Sequence, residues 1–372
     1  MKIKLYNKIA NCGLKRLPEA FTVGEEITEE NGILVRSADL HETAFPKSLS
    51  AIARVGAGVN NIPVEKCAEE GIVVFNTPGA NANAVKELAV AALLLTSRLV
   101  PDAMEYAKTL AGNPDALKLV EKEKSRFVGP EIMGKTLGVI GLGAIGGGVA
   151  NAALALGMRV LGYDPYASVD AAWVLDPAVE KVDDLDRIFK ESDYITVHVP
   201  SLPSTKGILG GANIAKMKEG VRLLNLARAD LGVDADILAG IESGKIAAYY
   251  TDFPTGALAG QKGVVATPHL GASTPEAEDN CAIMACDQLA DYLTNGNIKN
   301  SVNMPAVKLG RAYTNRVGII MKEGVDVEAL VAGGNIARGT RGGYTYLLAE
   351  RDAAFEIEKI QSVGGVIRVT SY

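Results

Sequence analysis

Histidine, tryptophan and paired cysteines are scarce in this chain of 372 residues: it has three His, one Trp and four Cys. Cys12, Cys67, Cys281 and Cys286 show no CxxC spacing, and with so few histidines a structural zinc site lacks ligands. Reduced, mostly buried thiols are expected instead. Positive charge is not in excess either, with 38 Lys plus Arg against 44 Asp plus Glu and a net charge of -6. A chain of that balance has little with which to neutralise a phosphate backbone, so nucleic acid is not expected as a partner. Long apolar runs are missing as well. The most apolar stretch, Leu88–Leu95, lies between Glu87 and Arg98 and is far short of the roughly 20 residues a membrane span needs. No membrane association is expected, and the opening MKIKLYN carries no apolar signal core, which makes a cytoplasmic location the default.

What is present is an ordinary globular composition, 48% hydrophobic and 22% charged, together with 40 glycines. The length suits two or three domains. Short runs rich in Val, Ile and Leu recur at Ile3–Tyr6, Ile33–Arg36, Ile52–Val55 and Ile72–Phe75. A second series occupies Leu137–Ile140, Arg159–Tyr163, Tyr194–Val197, Arg222–Leu226, Ala247–Thr251 and Val264–Thr267. Such runs read as buried parallel strands, and the helical sequence between them implies a doubly wound α/β architecture. A helical stretch, Val85–Leu110, broken only by Pro101, joins the two series, and Ser273–Thr294 reads as a further long helix. From about Val302 the character changes to a small α+β module, with strands at Val317–Met321, Tyr344–Ala349 and Val366–Thr370 and a helix at Asp352–Ser362.

Within the second series, strand Leu137–Ile140 runs into Gly141-Leu142-Gly143-Ala144-Ile145-Gly146, followed by a helix and a strand that ends at Asp164. Here the first glycine allows a tight turn, the second lets the backbone approach a pyrophosphate, and the third allows close packing of helix on strand. An acidic residue about 20 positions on can bond both hydroxyls of an adenine ribose, so NAD is expected rather than NADP. Three residues then stand out beyond strand ends, where such sheets place ligands. His269 follows the last strand, Arg228 sits in the apolar context Asn225-Leu226-Ala227-Arg228, and Arg54 holds the matching place in the first series. An arginine fork fits a carboxylate or other anion. At Arg228 a structural salt bridge is the alternative. His198 reads as a cofactor neighbour and His41 as a surface residue.

The sequence resembles the D-isomer-specific 2-hydroxyacid dehydrogenases. The segments that carry the likeness run in order over essentially the first 300 residues: Arg54–Ile62, Asn76-Thr77-Pro78, the GLGAIG loop with Asp164, Asn225–Arg228, Asp252-Phe253-Pro254 and Pro268–Ser273. The resemblance implies a Rossmann NAD-binding domain, 96–271, inserted in a flavodoxin-like substrate domain, 1–95 and 272–301. The tail, 302–372, is similar to a shortened ACT-type regulatory or oligomerising domain. It further implies that NAD-dependent oxidation of D-3-phosphoglycerate to 3-phosphohydroxypyruvate, the entry to serine synthesis, takes place in a homodimer or homotetramer. His269 would then be the acid/base, with Arg228 on the carboxylate and Asp252 beside them. Arg54, Val55, Gly56, Asn76 and Asn81 would receive the distal phosphate. NAD would lie against Gly141, Gly143, Ala144, Ile145, Asp164, Pro165, His198, Val199, Pro200, Thr205, Leu226, Ala227, Arg228, Asp252, His269, Gly271 and Ala272. Two departures mark the chain. Ala229 stands where the family usually has Gly, and no Glu occurs between Asp252 and His269 to pair with the histidine, which leaves Asp252 as a substitute partner. The alternatives are a dehydrogenase of another D-2-hydroxy acid, such as hydroxypyruvate or D-lactate in its redox pair, and a non-catalytic NAD sensor.

Overall fold

A computed structural model describes residues 1–167 and 172–372. The chain forms two compact units, one made of Met1–Asn81 with Thr274–Tyr372 and the other of Ala82–Ser273. The domain limits expected at 95/96 and 271/272 thus compare with 81/82 and 273/274. The limit expected at 302 falls inside the first unit.

In the first unit, strands β1 (Lys2–Tyr6), β2 (Thr22–Gly24), β3 (Gly32–Val35), β4 (Ala51–Arg54) and β5 (Val73–Phe75) form a parallel sheet of order β2-β1-β3-β4-β5. The inner strands β3, β4 and β5 are covered on both faces, which is why they read as continuous apolar runs. Ile33, Val35, Ile52 and Val74 enter one core, and Leu34, Ala53, Val73 and Phe75 the other, alternating with the pleat.

The second unit carries β6 (Thr136–Ile140), β7 (Arg159–Tyr163), β8 (Glu180–Lys181), β9 (Tyr194–Val197), β10 (Val221–Asn225), β11 (Ile246–Thr251) and β12 (Val264–Ala266). Their parallel order, β12-β11-β10-β9-β6-β7-β8, is the Rossmann arrangement with one added edge strand. The helix Ala82–Ser97 packs its small residues against the helix Ala144–Ala155, whose sequence AIGGGVANAALA permits close approach. The helical stretch expected over Val85–Leu110, with Pro101 its only break, forms two helices, because Leu99 takes a left-handed φ of 45° and Pro101 lies in the first turn of the next helix, Val100–Lys108.

The first unit resumes with the helix Pro275–Asn295, capped by the Thr274 hydroxyl accepting from Ala277 N–H and ended by Gly296 at φ 72°. It then adds β13 (Asn315–Lys322), β14 (Asn335–Arg341), β15 (Tyr344–Arg351) and β16 (Val366–Ser371) as an antiparallel sheet of order β14-β15-β13-β16. With short helices after β13 and β15, this is a βαββαβ module. Val317, Ile319, Leu347 and Ala349 pack under its own helices, while Ile320, Tyr346 and Leu348 join the core that holds Phe75, Leu289 and Tyr292. The module therefore shares a core with the parallel sheet. A fully buried pair, Arg316 and Glu350 at 3.1 Å, fastens it further, for Arg316 also donates to the Leu309 and Gly310 carbonyls and to Asn297 Oδ1. The helix expected at Asp352–Ser362 shortens to Ile357–Gln361, since the Arg351 guanidinium binds the carbonyls of Ala353 and Ala354 and holds them in a loop.

Candidate functional site

At the end of β6 the chain turns at Gly141, φ 92°, where a Cβ would stand 2.6 Å from the His198 carbonyl oxygen. At Gly146 a Cβ would meet the Gly141 carbonyl oxygen at 1.8 Å, so helix and loop touch through glycine alone. Gly143 differs, because a Cβ there would meet nothing within 4 Å among the described residues. It faces open space at the start of Ala144–Ala155, a helix with no side-chain cap and no acidic residue in its first turn. The N–H groups of Ala144 and Ile145 are thus left for an anion. Asp164, beyond β7, accepts from Leu142 N–H through Oδ2 and from Tyr166 N–H through Oδ1, each at 2.9 Å, which holds its carboxylate beside the loop. Pro165 next to it is exposed. These residues fit a dinucleotide: a turn only glycine can make, room for close approach, free donors and a fixed carboxylate.

His198 extends the ladder by donating its N–H to Ile140, and its Nε2 lies 2.9 Å from Thr196 Oγ1. Burial lowers its pKa to about 4, so the ring is neutral at ordinary pH. Val199 flanks Gly141, whereas the Thr205 hydroxyl donates to the Pro200 carbonyl and closes that turn.

The strand order reverses between β6 and β9, and the remaining candidates follow on the next strand ends, β10, β11 and β12. Asn225, fully buried, accepts from the N–H groups of Ala227 and Arg228 and donates to the Arg228 carbonyl and the Tyr249 hydroxyl. That loop presents Arg228 to solvent, with Nη1 on the Ala227 carbonyl at 2.6 Å and no carboxylate within 4.0 Å among the described residues. The structural salt bridge weighed for it is absent there. Leu226 is buried below it.

Asp252 is fully buried at the end of β11. Its Oδ1 accepts from the Thr267 hydroxyl and Leu270 N–H, and its Oδ2 from Gly271 N–H, all at 2.7 Å. Those bonds tie down the loop that carries His269, while none of them reaches the imidazole. His269 itself sits at φ 54°, a left-handed conformation that costs a non-glycine residue about 1–2 kcal/mol. Its N–H bonds the carbonyls of Asp252 and Thr267, and its exposed ring rests on Phe253 with centroids 4.6 Å apart. Ala272 follows in the same loop.

In the first unit, Arg54 ends β4 half-buried. Its guanidinium folds over Gly56, φ 143°, filling the space of a Cβ, with which Nη1 would be only 1.3 Å apart. Nη1 reaches the Val55 carbonyl at 3.3 Å, whereas Nε is buried without a partner among the described residues. Burial holds the Arg54 pKa below its ordinary value, and the charge of Arg36 adds to that. Across the loop, Asn76 Nδ2 donates to the Ala57 carbonyl, Thr77 N–H donates to the Gly56 carbonyl, and the buried Thr77 hydroxyl has no partner among the described residues. Gln288, from the long helix, binds the Asn76 carbonyl and accepts from Asn300 Nδ2. Asn81 is half-buried at the end of this loop. The loop thus carries a cation and a hydroxyl each with a buried polar atom short of partners among the described residues, a chemistry that suits an anion. Sequence reasoning passed over Thr77, Asn225 and Gln288 as functional residues. Only the first two lie in segments it had marked. His41 pairs with Asp39 on the surface, and no group of three metal-ligating side chains occurs among the described residues.

Residues 90–271 match the NAD-binding domain of the D-isomer specific 2-hydroxyacid dehydrogenases. Hydroxypyruvate reductase of Thermotoga maritima is 41% identical over 277 residues, which are 71% of this chain and 85% of that protein. D-3-phosphoglycerate dehydrogenase of Methanocaldococcus jannaschii is 37% identical over 301 residues, 77% of this chain and 55% of that one. This chain thus spans about half the length of the phosphoglycerate dehydrogenases it matches first. Among solved structures, NAD+-bound 3-phosphoglycerate dehydrogenase of Entamoeba histolytica superposes with a TM-score of 0.61 at 26% identity, covering 82% of this chain and 98% of that one.

Proposed function

The chain belongs to the D-isomer specific 2-hydroxyacid dehydrogenases, with an NAD-binding Rossmann unit, and we propose that it oxidises D-3-phosphoglycerate to 3-phosphohydroxypyruvate. The observation that carries the choice of substrate is Arg54, a half-buried guanidinium with an Nε unpartnered among the described residues, together with the Thr77 hydroxyl, likewise unpartnered, on the residue whose N–H binds the Gly56 carbonyl. That pair suits a dianionic phosphate, with Val55, Gly56, Asn76 and Asn81 shaping the loop around it.

Arg228, free of any carboxylate partner, holds the substrate carboxylate and the oxygen on C2, orienting both before reaction. The imidazole of His269 takes the hydroxyl proton as C2 gives up its hydride. NAD would supply the hydride acceptor, and the N–H groups at Gly143, Ala144 and Ile145 together with the Asp164 carboxylate would hold it. Asp252 acts as a positioning residue, its carboxylate fixing the loop amides that set His269. The positioning role is preferred to that of a substitute partner because the bonds its carboxylate accepts, from Thr267, Leu270 and Gly271, go to the loop and none to the imidazole.

The second reading is a reductase of unphosphorylated hydroxypyruvate, favoured by the Thermotoga relative, of which this chain covers 85%. NADH absorbance separates the two. Turnover should favour D-3-phosphoglycerate over D-glycerate, and Arg54→Met should erase that preference while sparing D-glycerate. Equal rates on both acids in the unaltered protein would install the second reading. We further assign the βαββαβ module the ACT-like role, with a place in serine synthesis and in the cytoplasm. A homodimer or homotetramer is supported by the apolar side chains exposed along residues 100–128, Met104, Leu117, Val120 and Val128 among them.

A further inference from the structure

Asn76, which opens the loop after β5, is held from three sides. Its N–H donates to the Asn300 carbonyl at 3.3 Å and its Nδ2 to the Ala57 carbonyl at 2.7 Å, while its own carbonyl accepts from Gln288 Nε2 at 3.0 Å. Gln288 stands on the long helix Pro275–Asn295 and is 8% exposed. The other end of its amide, Oε1, accepts from Asn300 Nδ2 at 2.7 Å. One nearly buried amide therefore bridges the loop and the residue that grips the loop's first N–H. Burying an amide costs free energy that a leucine at the same place would not, so the two bonds are what suits glutamine to the position.

The strand before the loop gives Asn76 little hold of its own. β5 lies at the edge of its parallel sheet, next to β4. Its outer side is covered by irregular chain, where Val302 N–H donates to the Val74 carbonyl and Asn303 bonds both Val74 N–H and the Ile72 carbonyl. Asn300, at a left-handed φ of 54°, starts that cover with its carbonyl on Asn76. Thr77 comes directly after Asn76, so any turn of the Asn76 carbonyl re-aims the next peptide and the hydroxyl beyond it. We propose that Gln288 is a positioning residue for this loop: through the Asn76 carbonyl it sets the turn on which Thr77 offers its hydroxyl, and so governs affinity for the phosphate end of the substrate without touching it. That role rests on Arg54 and Thr77 receiving the phosphate, as proposed above.

The test compares KM and kcat for D-3-phosphoglycerate and D-glycerate in the full chain. Gln288→Met keeps the length of the side chain and loses both bonds. The KM for D-3-phosphoglycerate should rise about three- to tenfold, with its kcat and both constants for D-glycerate unchanged. Asn300→Gly removes one partner of the amide at a φ that glycine adopts freely, so it should keep the fold and raise the same KM less. Gln288→Glu separates positioning from packing within one protein. A protonated carboxyl donates to the Asn76 carbonyl and accepts from Asn300 as the amide does, whereas an ionised one only accepts. Burial favours the protonated form, so the ratio of this variant's KM to that of the unaltered chain should fall towards one as the pH drops from about 8 to about 5.5. Asp287, Asp291 and Lys299 line the cavity beside Gln288, Asp287 paired with Arg16 and Asp291 bound by Asn295 and Asn297. They and the substrate phosphate titrate in both proteins and cancel in the ratio. An unchanged KM in Gln288→Met, a loss shared equally by D-glycerate, or a ratio flat with pH would each overturn the proposal. No preference for the phosphorylated acid in the unaltered chain would instead remove the phosphate site itself, and this role with it.

Discussion

Gly56 and Gly143 both follow a parallel strand, yet they are glycine for opposite reasons. At Gly56 the space of a Cβ is taken by the protein's own Arg54 guanidinium, and at Gly143 that space is empty. On the function proposed above, the first unit would recognise an anion with a formal charge folded back into its loop and partly desolvated. The second offers backbone N–H groups and leaves the volume for a ligand. Recognition by a buried side chain ties binding to stability, because removing either partner leaves a cavity or an unpaired charge. Recognition by backbone separates the two, since the donors belong to the helix whether or not a ligand is present.

The largest effect should come from His269→Ala. General acid–base groups contribute about 10²–10⁴-fold, so NADH formation should fall by that much. NADH binding, followed by energy transfer from Trp173, the chain's one tryptophan, should barely change. Loss of binding together with rate would mean the left-handed His269 loop shapes the cofactor site and not the chemistry. Gly143→Val comes next. With nothing within 4 Å of its Cβ, the variant should keep its Tm while NADH affinity drops about tenfold or more. A lower Tm would show that the open space is needed by the fold. Gly56→Ala should do the reverse, costing about 1–3 kcal/mol of stability by displacing Arg54 and straining a φ of 143°. The KM for 3-phosphoglycerate should rise with NADH affinity intact. Unaltered stability there would end the contrast between the units.

The same distinction governs how much could be read from sequence. Strands buried on both faces announce themselves as apolar runs, and Arg159–Tyr163 and Tyr194–Val197 are found at the limits expected. The edge strand Asn335–Arg341, NIARGTR, carries no such run because one side of it is exposed, and its pairing with β15 alone makes it a strand. Glu180–Lys181 at the rim of the larger sheet was invisible for the same reason. In the site, Arg54, Arg228 and His269 stood out because a polar residue just beyond an apolar strand is a local pattern. What Asp252 does was not legible. Its bonds to Thr267, Leu270 and Gly271 form only when the chain returns through β12, and sequence spacing carries no record of which oxygen meets which amide. Gln288 is more remote still, reaching the Asn76 carbonyl from a helix some 200 residues later in the chain.

His198 gives the finest test of the comparison, since it asks whether the second unit's anion-binding edge is truly uncharged. Burial lowers its pKa to about 4, against 6.5 for a free side chain. Above pH 6.5 the ring is neutral in folded and unfolded chains alike and adds no pH dependence. Between 6.5 and 4 the unfolded chain takes up a proton that the folded one refuses, so stability falls with acidity, by at most about 1.4 kcal/mol per pH unit for one proton. Below 4 both forms are charged and the loss is complete. His198→Gln keeps a polar group for the Thr196 hydroxyl but cannot titrate. The fall in urea midpoint between pH 6.5 and 4.5 should therefore be shallower in the variant by a fraction of one proton, and the carboxylates common to both proteins cancel in the difference. Identical slopes would mean that the ring reaches water and carries charge in the folded chain. The edge beside Gly141 would then hold a titrating cation much as Arg54 supplies a fixed one, and the two units would differ in degree rather than in kind.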